Sequence, residues 1–204
     1  MTADNDLRRV HPGLYLAPDA PVRQTVPPLR FVMIDGSGDP STAPGYTDAV
    51  GTLYAVSYGV RALVKQAGGT PWTVLPLEGL WWADDMSAFT AGSRSDWLWT
   101  MMIAQPEVVT ADLVDQARSA AVAKGRAPSA DRLRLEVLDE GDVVQVMYHG
   151  PYADEGPTIE ALHAFIADHG LERAGKHHEV YLNDPRRVAP AAMRTILRQP
   201  VAEV

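Results

Sequence analysis

The amino-acid sequence predicts an α+β fold in which two β-α-β-β modules are joined by one further helix and strand. Short apolar runs end in clusters of Gly, Asp and Pro, which is typical of strands that lead into turns. Longer segments carry apolar residues at three- and four-residue spacing, which indicates helices. The order of these segments recurs in the second half of the chain, so we interpret the sequence as an internal duplication.

Module one covers about residues 29–105. Its strand, helix, strand and strand are predicted at 29–34, 45–66, 72–82 and 96–104. Pro76 and Gly79 interrupt the second strand, which favours an edge position or a bulge there. A polar loop is predicted over 84–96, between the last two strands.

A linking helix and strand are predicted over about 110–140, with Thr110 as the N-cap of the helix. Module two follows over about 142–200. Its strand, helix, strand and strand are predicted at 143–149, 157–168, 176–183 and 193–199. The two modules and the link would form a single domain over residues 29–204.

Residues 1–28 are rich in proline, and we predict an N-terminal arm without regular elements there. The prolines are Pro12, Pro18, Pro21, Pro27 and Pro28. The first ten residues are charged and contain no apolar segment of the kind found in secretory signals. No apolar run approaches the ~20 residues that span a bilayer. A cytoplasmic location is therefore expected.

Composition excludes several kinds of chemistry. The chain has 204 residues and no cysteine, so disulfides, thiolate metal sites and a cysteine nucleophile are excluded. With 18 basic and 26 acidic residues the net charge is −8, which does not favour binding to nucleic acid or to an anionic membrane. Motifs typical of zinc proteases or phosphate loops are absent from the sequence. We expect no metal and no cofactor, and a protein partner stays unknown.

Tryptophan is concentrated in one part of the chain. Four of the five tryptophans are Trp81, Trp82, Trp97 and Trp99. Such a cluster forms either a heavily aromatic core or the wall of a pocket for a flat apolar ligand. The sequence leaves both alternatives open, although each buried indole N–H needs a hydrogen-bond partner.

Two glutamates lie on predicted strands that also carry aromatic residues. Strict alternation places Glu179 on one face of its strand with His177 and Tyr181, and Glu78 on one face with Trp82. Alternation alone favours a solvated face for Glu179. A carboxylate held among aromatic rings could instead act as a general base or bind a cationic ligand. His177 and His178 point to opposite faces of the strand, so they cannot chelate one metal together.

Motifs distributed along the chain resemble the GyrI-like small-molecule-binding family. They are 76–82 (PLEGLWW), 99–106 (WTMMIAQP), 149–152 (HGPY) and 177–187 (HHEVYLNDPRR). The similarity extends over about residues 29–201 and is greatest to the branch that lacks a DNA-binding domain. It implies two modules related by a pseudo-twofold, a curved antiparallel sheet with helices on the outer face, and a central ligand groove.

The resemblance also implies candidate site residues. In drug-sensing relatives a carboxylate in an aromatic groove recognises lipophilic cations, and Glu179 is the matching position. Some stand-alone members are cyclopropanoid cyclopropyl hydrolases, which add water to the strained ring of DNA-alkylating compounds. Glu179 as base and Tyr181 as its orienting group would then be catalytic. The residues expected to bind the ligand are Glu78, Trp82, Trp97, Trp99, Met101, Tyr148 and Tyr152.

Three functions are compatible with this resemblance. The chain could hydrolyse electrophilic aromatic compounds and so detoxify them. It could bind or sequester lipophilic aromatic or cationic molecules without catalysis. It could also modulate DNA gyrase through a protein interaction, as the name of the family suggests.

Overall fold

A computed structural model describes residues 5–83 and 94–204. The predicted loop at 84–96 lies largely outside the described residues. The strands are β1 (Val22–Val26), β2 (Leu29–Ser37), β3 (Leu77–Trp82), β4 (Leu98–Gln105), β5 (Arg134–Leu138), β6 (Gly141–His149), β7 (Leu171–Arg173), β8 (His177–Tyr181) and β9 (Arg194–Glu203). The helices are α1 (Leu7–Val10), α2 (Pro44–Gln66), α3 (Ala111–Ala123) and α4 (Gly156–Asp168). The predicted α+β class is confirmed, and each strand pairing reported below is antiparallel.

The chain divides into two compact units. The first unit contains residues 5–10 and Leu29–Leu138, and the second contains His11–Pro28 and Asp139–Val204. The predicted module order is present in both, as β2-α2-β3-β4 in the first unit and as β6-α4-β8-β9 in the second. The short strand β7 of the second unit was not predicted. The single domain over residues 29–204 stays a prediction.

The first unit is a four-stranded antiparallel sheet in the order β5-β2-β4-β3, with α2 packed on one face. On β4, Gln105 donates a hydrogen bond from Nε2 to Ser57 Oγ of α2 at 3.0 Å. The odd-numbered residues of β4 therefore face α2, because side chains alternate along a strand. On the helix, Leu53, Val56 and Val60 are fully buried and form the core of this unit.

Helix α3 packs against α2 in the first unit. A Cβ at Gly59 of α2 would lie 3.0 Å from the Cβ of Ala117 in α3, so the two helices approach closely. The Thr110 hydroxyl accepts a hydrogen bond from the backbone N–H of Leu113 at 3.3 Å. This confirms the predicted N-cap.

The second unit is an antiparallel sheet in the order β1-β6-β9-β8, and β7 pairs with the end of β9. Helix α4 buries Leu162 and Ile166 against one face of this sheet. The residues in the same cluster are Val144, Val146, Tyr148, Leu171, Leu197 and Val201. In the described residues, no helix is long and apolar enough to cross a membrane.

In each sheet, one edge strand comes from a part of the chain that lies just before the strands of the other unit. These edge strands are β1 and β5. Strand β1 precedes β2 but pairs with β6 of the second unit, whereas β5 precedes β6 but pairs with β2 of the first. The prediction of an arm without regular elements is therefore wrong for Val22–Val26, and it is also wrong for Leu7–Val10, which form α1. Neither stretch contains a proline, so the backbone N–H groups of both are free to form hydrogen bonds.

Proline also explains why one predicted strand begins later in the structure. The strand predicted over 72–82 begins at Leu77, directly after Pro76. Proline has no backbone N–H to donate to a neighbouring strand, so regular pairing starts after it. Glu78 then pairs with Met102, and the register continues without a bulge to Trp82 opposite Leu98.

A buried polar network fixes the N-terminal segment to the second unit's sheet, on the face opposite α4. The guanidinium of Arg198 donates to the backbone oxygen of Leu14 at 2.8 Å and to Gln145 Oε1 at 3.1 Å. Gln145 Nε2 in turn donates to Gly13 O at 3.0 Å. Residues of the predicted arm thus satisfy polar groups that would otherwise be buried without partners.

Glu140 completes this network. Its carboxylate contacts His178 Nδ1 at 2.9 Å and lies 3.4 Å from the Arg198 guanidinium. Burial raises the pKa of the Glu140 carboxyl, but the interactions with His178 and Arg198 outweigh it and leave the pKa below its usual value. His178 is therefore a structural residue of the buried face.

Candidate functional site

The register of β8 places Glu179 on the sheet face that carries α4. Glu179 lies opposite Leu197, and Leu197 packs in the cluster formed with Leu162 and Ile166 of α4. Residues paired across antiparallel strands share a face, so Glu179 points to the α4 side. Its residue exposure is 7%, and that of His177 is 6%. The solvated face that alternation favours is therefore wrong, because this face belongs to the side on which α4 packs.

Glu179 has an imidazole as its neighbour on the same strand. His177 Nε2 lies 3.5 Å from Glu179 Oε1. Within residues 5–83 and 94–204, the buried Nε2 atom of His177 has no hydrogen-bond partner. The histidine spacing excluded a shared metal site for His177 and His178 but indicated no role for His177 beside Glu179. The two-residue spacing on a strand is the signal that could have identified this pair.

Two tyrosines extend this group of side chains. Tyr181 lies opposite Thr195 on β9, on the same face as Glu179. The ring of Tyr152, from the turn after β6, meets the ring of Tyr181 edge-on, with centroids 5.5 Å apart. We call Glu179, His177, Tyr181 and Tyr152 the β8 cluster.

Tyr148 and Gly150 hold the turn that carries Tyr152. The Tyr148 hydroxyl donates to the backbone oxygen of Pro151 at 2.8 Å. Gly150 has φ of 137°, which side chains rarely tolerate, and a Cβ there would lie 2.7 Å from the Tyr148 hydroxyl. Tyr148 itself is buried in the α4 core, so its observed contact is with the turn that presents Tyr152.

His163 of α4 is a second histidine near His177. Burial, followed by the charges of Arg173 and His177, lowers the pKa of His163 to about 4. Its Nδ1 lies 3.4 Å from the Arg173 guanidinium. The His163 ring is therefore neutral at pH 7.

The tryptophans of the first unit form an aromatic core against α2. Trp81 lies opposite Trp99, and Trp99 faces α2 as an odd-numbered residue of β4. Tyr46 of α2 meets Trp99 edge-on, with centroids 5.3 Å apart, and stacks on Trp81 at 6.4 Å. Trp97 contacts Trp81 edge-on at 5.7 Å. A Cβ at Gly36 would overlap the Trp99 ring, so glycine leaves the space that this indole fills.

Glu78 and Trp82 lie on the other face of the first unit's sheet. Their cross-strand partners are Met102 and Leu98, which point away from α2. Glu78 is nonetheless 2% exposed. The sequence left core and pocket positions open for the tryptophans, and the structure divides the residues of β3 and β4 between the two faces of the sheet. Trp99 and Met101 belong to the core on the α2 side, whereas Glu78 and Trp82 belong to the opposite face, because successive side chains alternate.

The outcome for the predicted site residues differs between the two units. Glu179, Tyr181 and Tyr152 are brought together in the second unit, and Tyr148 supports their turn. All the roles assigned from the sequence stay predictions. They are the catalytic roles of Glu179 and Tyr181 and the ligand-binding roles of Glu78, Trp82, Trp97, Trp99, Met101, Tyr148 and Tyr152. Among the residues that the structure describes, no group of three or more His, Asp or Glu side chains is placed to hold a metal ion.

Comparison with known proteins gives the family. Residues 21–201 match the model of the GyrI-like small molecule binding domain. An uncharacterized conserved protein from Listeria innocua is 35% identical with a TM-score of 0.90, covering 98% of this chain and 100% of that one. No curated protein matches the chain.

Two further solved structures from Listeria innocua are described as hydrolases. One is 35% identical with a TM-score of 0.85, over 98% of this chain and 100% of the other. The second is 34% identical with a TM-score of 0.87, again over 98% of this chain and 100% of the other. Since the family model spans nearly the whole sequence, this chain belongs to the GyrI-like family of small-molecule-binding domains.

Proposed function

We propose that this protein binds a lipophilic aromatic small molecule through the β8 cluster and hydrolyses it with Glu179 as the general base. The observation that carries the proposal is the burial of the Glu179 carboxylate, 7% exposed, beside the edge-on tyrosine pair. Burying a carboxylate costs free energy unless it is paired or hydrogen-bonded. The free-energy cost of burying Glu179 is explained if its carboxylate acts on a ligand.

The chemistry of the cluster suits a ligand with an aromatic body. Rings of Tyr152 and Tyr181 offer edges and faces for stacking, and the Tyr181 hydroxyl offers one polar contact. A buried carboxylate attracts a cationic or hydrogen-bond-donating group on the same molecule. A pocket of this kind needs few polar groups when they are well placed.

The proposed reaction is the addition of water to an activated cyclopropane. Glu179 takes a proton from water while the water oxygen bonds to a ring carbon. The ring C–C bond breaks, its electron pair passes into the substrate's conjugated carbonyl, and that system then takes up a proton. General-base assistance supplies on the order of 10²–10⁴-fold, which is sufficient for a ring that is already strained and electrophilic. Support comes from the 34% and 35% identical Listeria proteins described as hydrolases.

The experiment that tests this incubates the protein with a cyclopropane-bearing alkylating compound and follows the ring-opened product by mass spectrometry. We expect turnover by the wild type and a loss on the order of 10²-fold in Glu179→Gln. Glu172→Gln is the matched control, since Glu172 is an exposed glutamate of β7 in the same unit. Tyr181→Phe removes the hydroxyl but keeps the aromatic ring, so it distinguishes their contributions. This variant should retain ligand binding.

The same assay distinguishes the other candidate functions. Saturable quenching of tryptophan fluorescence without product would leave a binding or sequestering protein. Binding and turnover by Glu179→Gln at wild-type levels would refute the role of Glu179. Inhibition of purified gyrase by the protein without any ligand effect would favour the gyrase-modulating alternative.

A further inference from the structure

We propose that His177 is the proton partner of Glu179, taking the proton that the carboxylate removes from water and delivering it to the opened ring. This inference rests on the proposed hydrolysis and assigns a second catalytic residue beside Glu179. It makes His177 the proton-transfer residue, distinct from the structural His178 beside it.

The geometry of β8 carries the inference. His177 and Glu179 are two residues apart on one strand face, and the distance from Nε2 to Oε1 is 3.5 Å. Their exposures of 6% and 7% place both groups largely out of water. Catalytic hydrogen bonds are often long in free enzymes and tighten when substrate completes the site, so a distance of 3.5 Å is compatible with proton transfer.

The Nε2 atom of His177, which lacks a hydrogen-bond partner, also supports this role. In the part of the chain that the structure describes, His177 Nε2 is buried and accepts or donates no hydrogen bond. Buried polar atoms without partners are rare in folded proteins, and a catalytic role is one of the explanations for them. The Nε2 atom is thus available to exchange a proton with the carboxylate.

The neighbouring histidines are not suited to this task. His178 points to the opposite face, where its Nδ1 contacts Glu140 at 2.9 Å. His163 stays neutral at pH 7, because burial and the charges of Arg173 and His177 lower its pKa to about 4. It therefore does not compete with His177 for the proton.

The proton balance of the cycle closes without any external acid or base. Water loses one proton to Glu179 as its oxygen bonds to the ring carbon, and the ring C–C bond breaks. The protonated carboxyl passes this proton to His177 Nε2, which restores the base. The resulting imidazolium protonates the carbon or carbonyl that received the electron pair. The product contains the substrate and one water, and both side chains return to their starting states.

The test uses the His177→Gln and His177→Ala variants of the full chain in the product assay. We expect kcat to fall on the order of 10²-fold in both, with KM changed less than about twofold. Added imidazole should restore part of the kcat of His177→Ala. The control is His169→Gln, because His169 is exposed at the end of α4 and should leave kcat unchanged.

A second measurement does not depend on turnover. The ¹⁵N shifts of the His177 ring should change in Glu179→Gln and stay constant in Glu172→Gln. Wild-type kcat in His177→Gln, or unchanged ring shifts in Glu179→Gln, would overturn the assignment of His177 while leaving hydrolysis by Glu179 intact. Absence of product from the wild type would instead overturn the hydrolysis and, with it, the proton transfer.

Discussion

The helix-facing sides of the two sheets contain different kinds of residue, although the element order is the same. In the first unit this side is filled by indole and phenol rings, with Trp99 1% exposed over Gly36. In the second unit an aliphatic cluster under α4 adjoins buried polar groups on β8, including Glu179 and His177. In the first unit the tryptophan cluster packs the core, whereas in the second unit the buried Glu179 carboxylate is the group to which we assign the proposed function.

Burial of aromatic rings and burial of a carboxylate differ in their effect on the free energy of folding. Rings that bury large apolar areas and meet edge-on stabilise the unit. The Glu179 carboxylate lies 3.5 Å from His177 Nε2, an atom that has no hydrogen-bond partner among the described residues, and a buried pair of this kind is weak evidence for stabilisation of its unit. Proteins retain such groups where activity needs them, at some cost in stability.

Loss of the indole core of the first unit should destabilise the protein most. Trp99→Ala removes the indole between Gly36 and Tyr46 and should lower the free energy of unfolding by about 3–5 kcal/mol. Ligand affinity of the protein that remains folded should not change. Urea denaturation and fluorescence titration measure the two quantities. Val122→Ala is the control, since Val122 is 52% exposed, and a loss below about 1 kcal/mol in Trp99→Ala would refute the core assignment.

The second prediction concerns the opposite face of the second unit. Arg198→Met leaves the Glu140 carboxylate and the Leu14 carbonyl with fewer partners in a buried position. We expect a loss of about 3 kcal/mol in urea denaturation at pH 7. Arg194→Met, at an exposed position of the same strand, should lose less than about 0.5 kcal/mol. Equal losses in the two variants would contradict a specific role for the network.

The third prediction concerns the pH dependence of stability. His163 has a folded-state pKa of about 4, below its unfolded value of 6.5, so its neutral form contributes stability above pH 6.5. That contribution is lost as pH falls from 6.5 to 4. We expect His163→Gln to reduce the fall in stability over this range by about 1–2 kcal/mol, a value discounted because the ring is only half-buried.

Thermal unfolding at several pH values measures this effect. Glu140, whose pKa is also lowered, adds a loss of stability in the acid range in both proteins, so the difference between them isolates His163. Parallel pH profiles for wild type and variant would contradict the assignment.

Substitution of Glu179 should change the stability least, because we assign this residue to function and not to packing. Glu179→Gln removes the buried charge but keeps the shape, so the free energy of unfolding should stay within about 1 kcal/mol of the wild type, or rise. Differential scanning calorimetry measures it beside the product assay. A loss of more than about 3 kcal/mol would show that Glu179 stabilises the fold in the manner of Arg198.

Local patterns predicted most of the elements. Thr110 caps α3, the apolar spacing gives α2 and α4, and alternation gives β5 and β8. A predicted strand boundary is misplaced where a proline prevents backbone pairing, as at Pro76. The strand pairings of β1 and β5 could not be predicted, because each joins a segment far from it along the chain.

The order of the elements in the two modules, the absence of thiol chemistry and the sets of residues that share a strand face follow from the amino-acid sequence alone. Which of the two faces α2 and α4 cover depends on how the helices pack in the folded chain. This packing makes Trp99 part of the core and buries Glu179 with His177 beside it. Alternation defines two faces of a strand but not the environment of either, since burial depends on contacts between residues that are distant along the chain.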